Sequence, residues 1–246
     1  MTPAAAYPST AAGQCTMTQA TQIWAVAAAL RRQIGTTLSV GDLPRACPSI
    51  DVNGRPIEIA WDLDHAVHDE SGQAVLGVCE TDADAAGAAG AAYVSINGPL
   101  LKDRPDVMLS TAAHELGHVI FDVPAALAQP VSRRQFRSYT ASSSALMRSE
   151  SRSEWRANEF MGAFLAPPFE LHKRLLRHAR AEDMKLARAP NLGRPAWPVV
   201  CGRNDPDALS GVVAVLAQDF GVSPRFVEVR LRVYGLVANV SNGALS

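Results

Sequence analysis

The chain has 246 residues, 48% of them hydrophobic and 19% charged, which is the composition of a soluble globular protein with one compact domain or two small ones. Its net charge of −1 gives no overall attraction to nucleic acid or to an anionic membrane surface. No run approaches the roughly 18 apolar residues of a membrane span. No Lys or Arg precedes the first apolar stretch, so we expect no signal peptide, no membrane partner and a cytoplasmic location.

The four cysteines are Cys15, Cys47, Cys79 and Cys201, and no two of them form a C-x-x-C pair. This wide spacing is typical neither of a zinc ribbon nor of a dense disulfide framework. We therefore expect free thiols, as in proteins of a reducing cytoplasm.

The N-terminal part of the chain contains one predicted helix. Residues 1–15 are rich in Ala, Pro, Ser and Thr without periodicity, and we predict that they are disordered. A helix is predicted over residues 16–34, because Ile23, Ala27 and Leu30 recur at the spacing of one helix face. That face is expected to pack against the core.

Three strands are predicted, over residues 56–63, 74–79 and 92–97, with a mobile loop at 80–91. A group of His and Asp side chains at the end of the first strand resembles a metal site in composition. Neither helical nor strand spacing brings these side chains together, so we interpret them as a solvated loop. We call this group the loop cluster: Asp62, Asp64, His65, His68 and Asp69.

The next predicted helix carries the sequence T-A-A-H-E-L-G-H-V-I-F, which contains the H-E-x-x-H pattern of zinc peptidases. We expect this helix to begin near Pro105 and to end before Pro124. Residues four apart lie on one helix face, so His114 and His118 can hold one ion, and Glu115 lies beside that face. By chance the pattern occurs roughly 0.006 times in a chain of this composition. A zinc peptidase takes three protein ligands, so a third has to come from elsewhere.

The third ligand is predicted on a helix over residues 153–165, with Ser153 as its N-cap. Glu154 and Asn158 share one face of this helix at the i, i+4 spacing. Glu154 can therefore be the anionic ligand, while Asn158 hydrogen-bonds a ligand histidine without touching the ion. The rival ligands are Glu150 and Glu159.

Two further features accompany the motif. Gly117 costs about 1 kcal/mol in a helix interior, so we predict that it permits close packing against a neighbouring element. Residues 129–153 are rich in Ser and Arg, and we predict a flexible basic loop between the two ligand-bearing helices.

The C-terminal part is predicted to be a linker and a helix pair. Residues 190–206 are interrupted by proline, and helices are predicted over residues 207–220 and 223–234. The short junction between these helices resembles a helix-turn-helix. Arg225, Arg230 and Arg232 could touch phosphate there, but we favour packing and expect no direct DNA binding. The predicted organisation is a disordered N-terminus at 1–15, a metallopeptidase domain at 16–180, and a linker with a C-terminal helical region packed on that domain at 181–246.

With these pieces assembled, the chain resembles the ImmA/IrrE family of metallopeptidases over residues 56–237. The shared blocks are I-N before the active helix, H-E-L-G-H, E-x-x-A-N-x-F, and a closing F-x-V-S, R-L and G-L. In this chain they are carried by Ile96 and Asn97, by His114 to His118, by Glu154, Ala157, Asn158 and Phe160, and by Phe220, Val222, Ser223, Arg230, Leu231, Gly235 and Leu236.

The chain also departs from the family pattern. Met161, Phe164 and Ala166 replace family residues with other apolar side chains, which should change packing and not ligation. The gap of 36 residues between His118 and Glu154 is longer than expected for the family. The Ser- and Arg-rich stretch fills this gap.

The resemblance implies an α+β fold: a helix-rich, zincin-like core with a small antiparallel sheet. It implies a zinc metalloendopeptidase with a gluzincin-type third ligand, Glu154, although Mn²⁺ or another divalent ion can occupy two imidazoles and a carboxylate. Its expected protein partner is a helix-turn-helix repressor, whose cleavage switches on stress-response or mobile-element genes. The resemblance further implies that the strand at 93–97 offers an edge for substrate pairing.

The sequence leaves two points open. The residue that stabilises the oxyanion is not chosen among Tyr139, His172, His178 and Tyr234. The alternative function is a non-proteolytic regulator that binds a repressor or DNA and has a structural metal site. An intact Glu115 argues against this alternative, because a structural site needs no general base.

Overall fold

The computed structural model describes residues 2–35, 39–69, 71–82, 90–128, 134–137 and 148–238. The chain divides into two compact units, Met1–Leu165 and Ala166–Ser246, which we call the N-terminal and C-terminal units. The sequence analysis placed the end of the metallopeptidase domain at residue 180. The two compact units divide between Leu165 and Ala166, just before the consecutive prolines Pro167 and Pro168.

The protein is a mixed α/β protein, with 49% helix and 23% strand, so the α+β prediction is confirmed at this level. No helix in the described ranges is long and apolar enough to cross a membrane.

The helices are α1 (Ala20–Ile34), α2 (Leu43–Ala46), α3 (Gly98–Leu101), α4 (Pro105–Phe121), α5 (Val123–Ala128), α6 (Arg148–Leu165), α7 (Pro168–Ala181), α8 (Pro206–Phe220) and α9 (Pro224–Val233). The strands are β1 (Ala4–Ala5), β2 (Ser49–Val52), β3 (Arg55–Asp62), β4 (Gly77–Asp82), β5 (Gly90–Ile96), β6 (Arg134–Arg137), β7 (Leu186–Asn191), β8 (Arg194–Cys201) and β9 (Val237–Ala238).

The sheet of the N-terminal unit has the order β1-β2-β3-β5-β4-β6. It is mixed and not antiparallel as predicted, because β1 pairs with β2 and β3 with β5 in parallel. Along β5, Ala92, Val94 and Ile96 are buried while the residues between them are half-buried, which is the alternation of a strand packed on one face. Because β5 lies between β3 and β4, the prediction that it offers an edge for substrate pairing is wrong.

The N-terminal segment has a defined structure, although disorder was expected for residues 1–15. Its strand β1 pairs with β2, and the Tyr7 hydroxyl donates a hydrogen bond to the Ile120 carbonyl. The Tyr7 ring also packs against Phe121, with 5.2 Å between ring centroids. One buried aromatic side chain thus anchors a segment whose composition resembles that of a disordered chain.

Helix α4 packs against β4 and β5 on one side and against α6 on another. Leu116, Val119 and Ile120 are fully buried. A Cβ atom at Gly117 would lie 2.9 Å from the Cα of Ala157 on α6. Gly117 therefore permits the close approach of the two helices, and its predicted packing role is confirmed.

The C-terminal unit contains a three-stranded sheet of order β7-β8-β9 beside its helices. Residues 190–206 were predicted to be a linker, but β7 and β8 form an antiparallel pair there. The helix pair is as predicted: Gly221 ends α8 with a left-handed backbone, φ +66°, and the Ser223 hydroxyl caps α9 by accepting from the Phe226 amide. Arg230 on α9 is buried and stacks on Phe226, so it does not face solvent as a phosphate contact requires.

Candidate metal centre

Helix α4 supplies two imidazoles to a single point. His114 and His118 are one turn apart, so their side chains project from the same face. Their Nε2 atoms are 3.1 Å apart, and both side chains are buried. Two imidazole nitrogens this close could bind a single ion together.

Helix α6 supplies the third group. Oε2 of Glu154 lies 3.3 Å from Nε2 of His114, and Oε1 lies 3.3 Å from Nε2 of His118. In the part of the chain that the structure describes, this is the one group of three His, Cys, Asp or Glu side chains whose ligand atoms converge within 4.8 Å. We call His114, His118 and Glu154 the metal cluster.

The separations within the metal cluster fit a tetrahedral ion. Bonds of about 2.0–2.1 Å at tetrahedral angles hold ligand atoms about 3.3–3.4 Å apart. The nitrogen–nitrogen and nitrogen–oxygen distances are 3.1 and 3.3 Å. Two imidazoles and a carboxylate suit zinc, and also manganese or iron, so the donor set fits a divalent ion without identifying it.

Asp122 orients the second histidine, and the sequence reasoning missed it. Its Oδ2 accepts a hydrogen bond from Nδ1 of His118 at 2.8 Å. Ser153 and Arg156 donate to the same carboxylate at 2.6 and 2.8 Å. A carboxylate only accepts, so Nδ1 of His118 carries a proton, and loss of the second ring proton would leave the lone pair of Nε2 directed toward His114 and Glu154. The signal was present in the sequence, because Asp122 follows His118 at the i, i+4 spacing.

The other predicted site residues lie as follows. Asn158 lies close to His114 and acts to raise its pKa, so it is near the histidine that it was predicted to hydrogen-bond. Ser153 lies inside α6 and is not its N-cap, because the helix begins at Arg148. Glu159, a rival ligand, accepts instead from the Trp24 indole at 2.8 Å. The side chain of the other rival, Glu150, lies outside the described residues.

Charge is distributed unevenly over the metal cluster. Burial would lower the pKa of His118, but hydrogen bonds to Asp122 and Glu154 raise it to about 10. Burial lowers the pKa of His114 below its usual value, against the opposing contact with Glu154. Burial would raise the pKa of Glu154, yet both histidines hold it down to about 2. Near neutral pH the cluster therefore has an ionised carboxylate, one neutral imidazole and one imidazolium.

Glu115 lies beside the metal cluster at the interface with the sheet. It is fully buried, and its charge adds to the raised pKa of His118. On β4, burial raises the pKa of the Cys79 thiol, and the charges of Glu115 and Asp122 raise it further. The carboxylate of Glu115 is therefore close to both the ligand set and the neighbouring strand.

The loop cluster has a different geometry. Asp62 accepts from the backbone amides of Asp64 and His65 and from the His65 ring, whose side chain is 83% exposed. Asp69 caps the turn that follows by accepting from Ser71 and Gln73. These side chains stabilise the turns of a solvated loop, as predicted.

The oxyanion candidates remain unassigned. Tyr139 lies outside the described residues. The other three belong to the C-terminal unit, where His172 Nε2 contacts the Pro198 carbonyl, His178 pairs with Asp219, and the Tyr234 hydroxyl donates to the Ala166 carbonyl.

Comparison with family models, with curated proteins and with solved structures finds no match for this chain. The resemblance to ImmA/IrrE peptidases therefore rests on the sequence blocks alone. The chemistry of the site rests on the metal cluster and the carboxylates around it.

Proposed function

We propose that the protein is a metal-dependent endopeptidase in which His114, His118 and Glu154 hold the ion and Glu115 is the general base. The observation that carries this proposal is the convergence of two imidazole nitrogens and one carboxylate beside a buried glutamate. Metallopeptidases need this set: three protein ligands, an open coordination position and a base.

The metal cluster supplies one part of the chemistry and the carboxylates supply the rest. When bound, a zinc ion lowers the pKa of water toward about 7 and polarises a carbonyl. Glu115 takes a proton from the attacking water as its oxygen bonds to the scissile carbonyl carbon. The carbon–nitrogen bond then breaks, and Glu115 returns the proton to the amine that leaves. Asp122 keeps Nδ1 of His118 protonated throughout, so Nε2 stays available for ligation.

The substrate in this proposal is a protein. The resemblance to ImmA/IrrE peptidases supports a helix-turn-helix repressor, whose cleavage would derepress stress-response or mobile-element genes in the cytoplasm. Zinc is the first candidate for the ion because two imidazoles and a carboxylate are among its common ligands.

The test is a cleavage assay with the helix-turn-helix repressor encoded nearest to this protein. Wild type, Glu115→Gln and a surface control, Glu58→Gln, are each loaded with zinc or manganese and incubated with that repressor. We expect a discrete cut by wild type and by the control, and a loss of rate of about 10²–10⁴-fold in Glu115→Gln with its metal retained. Equal cutting by wild type and Glu115→Gln would contradict the assignment of the base.

The same variant separates the alternative function. If the protein is a regulator with a structural metal, no variant cuts the repressor, and Glu115→Gln binds it as wild type does. Metal content measured on the same samples shows whether the ligand set is intact in each case.

A further inference from the structure

Helix α7 of the C-terminal unit is amphipathic, and its solvent face is basic. Leu171, Leu175 and Ala179 are buried on its inner face. The outer face presents Lys173, Arg177 and Arg180, which are exposed and recur at the i, i+4, i+7 spacing. These three cations thus form a row along one side of a helix held in place by its apolar side.

The two units carry opposite charge. Residues 166–246 contain 11 Lys and Arg against 7 Asp and Glu, a net charge of +4, whereas residues 1–165 contain 12 against 17, a net charge of −5. The nearly neutral total conceals this separation. The positive potential that attracts anions therefore belongs to the C-terminal unit.

A depression of about 620 Å³ lies on this basic side. It is lined by four cations and two carboxylates: Glu170, Lys173, Arg174, Arg177, Arg180 and Asp219. The lining therefore has two positive charges in excess. A space of this volume is within the range of small-ligand sites.

Internal ion pairs fix one wall of the depression and leave the other cations for a ligand. Arg174 donates to Glu170 at 2.9 Å, lies 3.4 Å from Asp219, and stacks on the Phe220 ring at 4.7 Å. Arg177 approaches Asp219 at 3.7 Å with its side chain 67% exposed. Within the described ranges, Lys173 and Arg180 have no ion-pair partner.

The spacing of the row selects the kind of anion. With a helical rise of 1.5 Å per residue, Lys173 and Arg180 are about 10 Å apart along the axis, with Arg177 between them. A single phosphate group is too small to contact both ends of such a row. The guanidinium group of an arginine can donate to two phosphate oxygens at once. Adjacent phosphates of one ligand along the row would therefore each contact a cation.

We propose that this depression binds an oligophosphate, meaning a ligand with two or more linked phosphate groups. Glu170 and Asp219 already provide carboxylates to which Arg174 and Arg177 can donate. A further carboxylate ligand would repeat these contacts and would carry less charge than a phosphate chain. A phosphate chain brings more charge and more acceptor oxygens per unit length. This binding function is independent of the proposed peptidase, because it uses no residue of the metal cluster.

The test is calorimetric titration of the full-length chain with sodium tripolyphosphate, without added metal because the probe chelates it. We compare wild type with Lys173→Glu/Arg177→Glu and with a matched control, Lys185→Glu/Arg203→Glu. The control changes two exposed basic residues of the same unit by the same charge. Circular dichroism checks that all three are folded.

We expect saturable binding by wild type, at least tenfold weaker binding by Lys173→Glu/Arg177→Glu, and a change below about twofold in the control. Binding should weaken as salt rises, because phosphate contacts are screened. Orthophosphate should bind at least tenfold more weakly than tripolyphosphate. Equal binding by the two double variants, or equal binding of the two probes, would overturn the proposal.

Two competitors identify the source of the phosphates. Displacement of tripolyphosphate by a nucleoside triphosphate assigns the site to free oligophosphates, whereas displacement by a 20-nucleotide strand alone assigns it to a nucleic-acid backbone. A polyglutamate peptide should not displace tripolyphosphate. If the peptide binds at Lys173 and Arg177 and tripolyphosphate does not, the site recognises acidic protein segments and the oligophosphate proposal is wrong.

Discussion

Two His–Asp pairs in the N-terminal unit have nearly the same geometry and opposite surroundings. Nδ1 of His118 lies 2.8 Å from Asp122, with side chains 0% and 7% exposed, and Nδ1 of His65 lies 3.0 Å from Asp62, with side chains 83% and 40% exposed. The pKa of both histidines is raised. That of His118 reaches about 10 although burial opposes the rise, because both Asp122 and Glu154 hydrogen-bond its ring. A second carboxylate inside a buried site therefore separates the metal cluster from the loop cluster.

The two clusters also use their carboxylates differently. In the loop cluster, Asp62 and Asp69 accept from backbone amides of their own turns, so they stabilise local structure. At the metal cluster, Asp122 and Glu154 accept from or approach histidines of α4. Local turns do not occupy these two carboxylates: Asp122 follows His118 at the end of the same helix, and Glu154 is brought to the histidines by α6.

The largest expected effect is the loss of bound metal on removal of a ligand. His118→Ala should lower zinc affinity by more than the about 10–100-fold typical of residues outside the ligand shell, so that dialysed protein retains no zinc. The matched change His65→Ala in the loop cluster should leave about one zinc per chain. Elemental analysis after dialysis measures both. Loss of zinc in His65→Ala would show that the zinc site lies in the loop cluster and not in the metal cluster.

A smaller effect is expected from the carboxylate that orients His118. Asp122→Asn should weaken zinc binding about 10–100-fold, because the amide no longer secures the Nδ1 proton. Asp62→Asn, which changes the corresponding pair in the loop cluster, should leave zinc affinity unchanged. Competition with a chromophoric chelator measures the affinities. Equal effects of the two substitutions would remove the distinction between the pairs.

Metal binding should also release a proton. His118 in the metal-free protein has a pKa of about 10, so it is protonated at pH 7 and must lose about one proton to bind zinc. Zinc affinity should therefore rise with pH up to about pH 10. The pair of protonated His118 and Asp122 stabilises the metal-free fold fully below about pH 6.5, which is the pKa of histidine in the unfolded chain. This contribution is lost as pH rises through about 10, the pKa of His118 in the folded chain. Titrations in two buffers of different protonation enthalpy count the proton, and a count of zero would contradict the assignment.

The smallest effect is expected in the loop cluster. The hydrogen bond to Asp62, followed by its charge, raises the pKa of His65 above its ordinary value. Asp62→Asn should return it toward about 6.5. Two-dimensional NMR of the histidine ring protons follows this titration. No change in the His65 pKa would show that the exposed pair has no effect in solution.

The sequence identified the centre of the site better than its surroundings. His114 and His118 follow from helical periodicity, and Glu154 from its block of residues. The H-E-x-x-H pattern ends at His118 and does not specify Asp122, although Asp122 follows at the same i, i+4 spacing. The placement of Glu154 opposite His114 depends on the close packing of α4 and α6 at Gly117, a tertiary contact that spacing along the chain does not specify.

The missed parts of the fold share one cause. Prolines at 190, 195 and 198 indicated a linker, yet they lie in β7 and β8. Among the described residues, β9 pairs with the last two residues of β8 alone. The two prolines of β8 therefore lie where β7 is its one described neighbour, and a strand paired on one side tolerates a missing donor. In the N-terminal segment, one Tyr contact with α4 outweighed a composition typical of disorder. Local patterns fail where a few long-range contacts decide the structure.

X-ray absorption at the zinc edge of the metal-loaded protein tests the central claim most directly. The ligand set predicts two imidazole nitrogens and carboxylate or water oxygens at about 2.0–2.2 Å, without sulfur. The outer-shell scattering should correspond to two histidine rings, should decrease to that of one ring in His114→Ala, and should be unchanged in His65→Ala. Sulfur at about 2.3 Å, or an unchanged spectrum in His114→Ala, would contradict the claim that α4 and α6 together hold the ion.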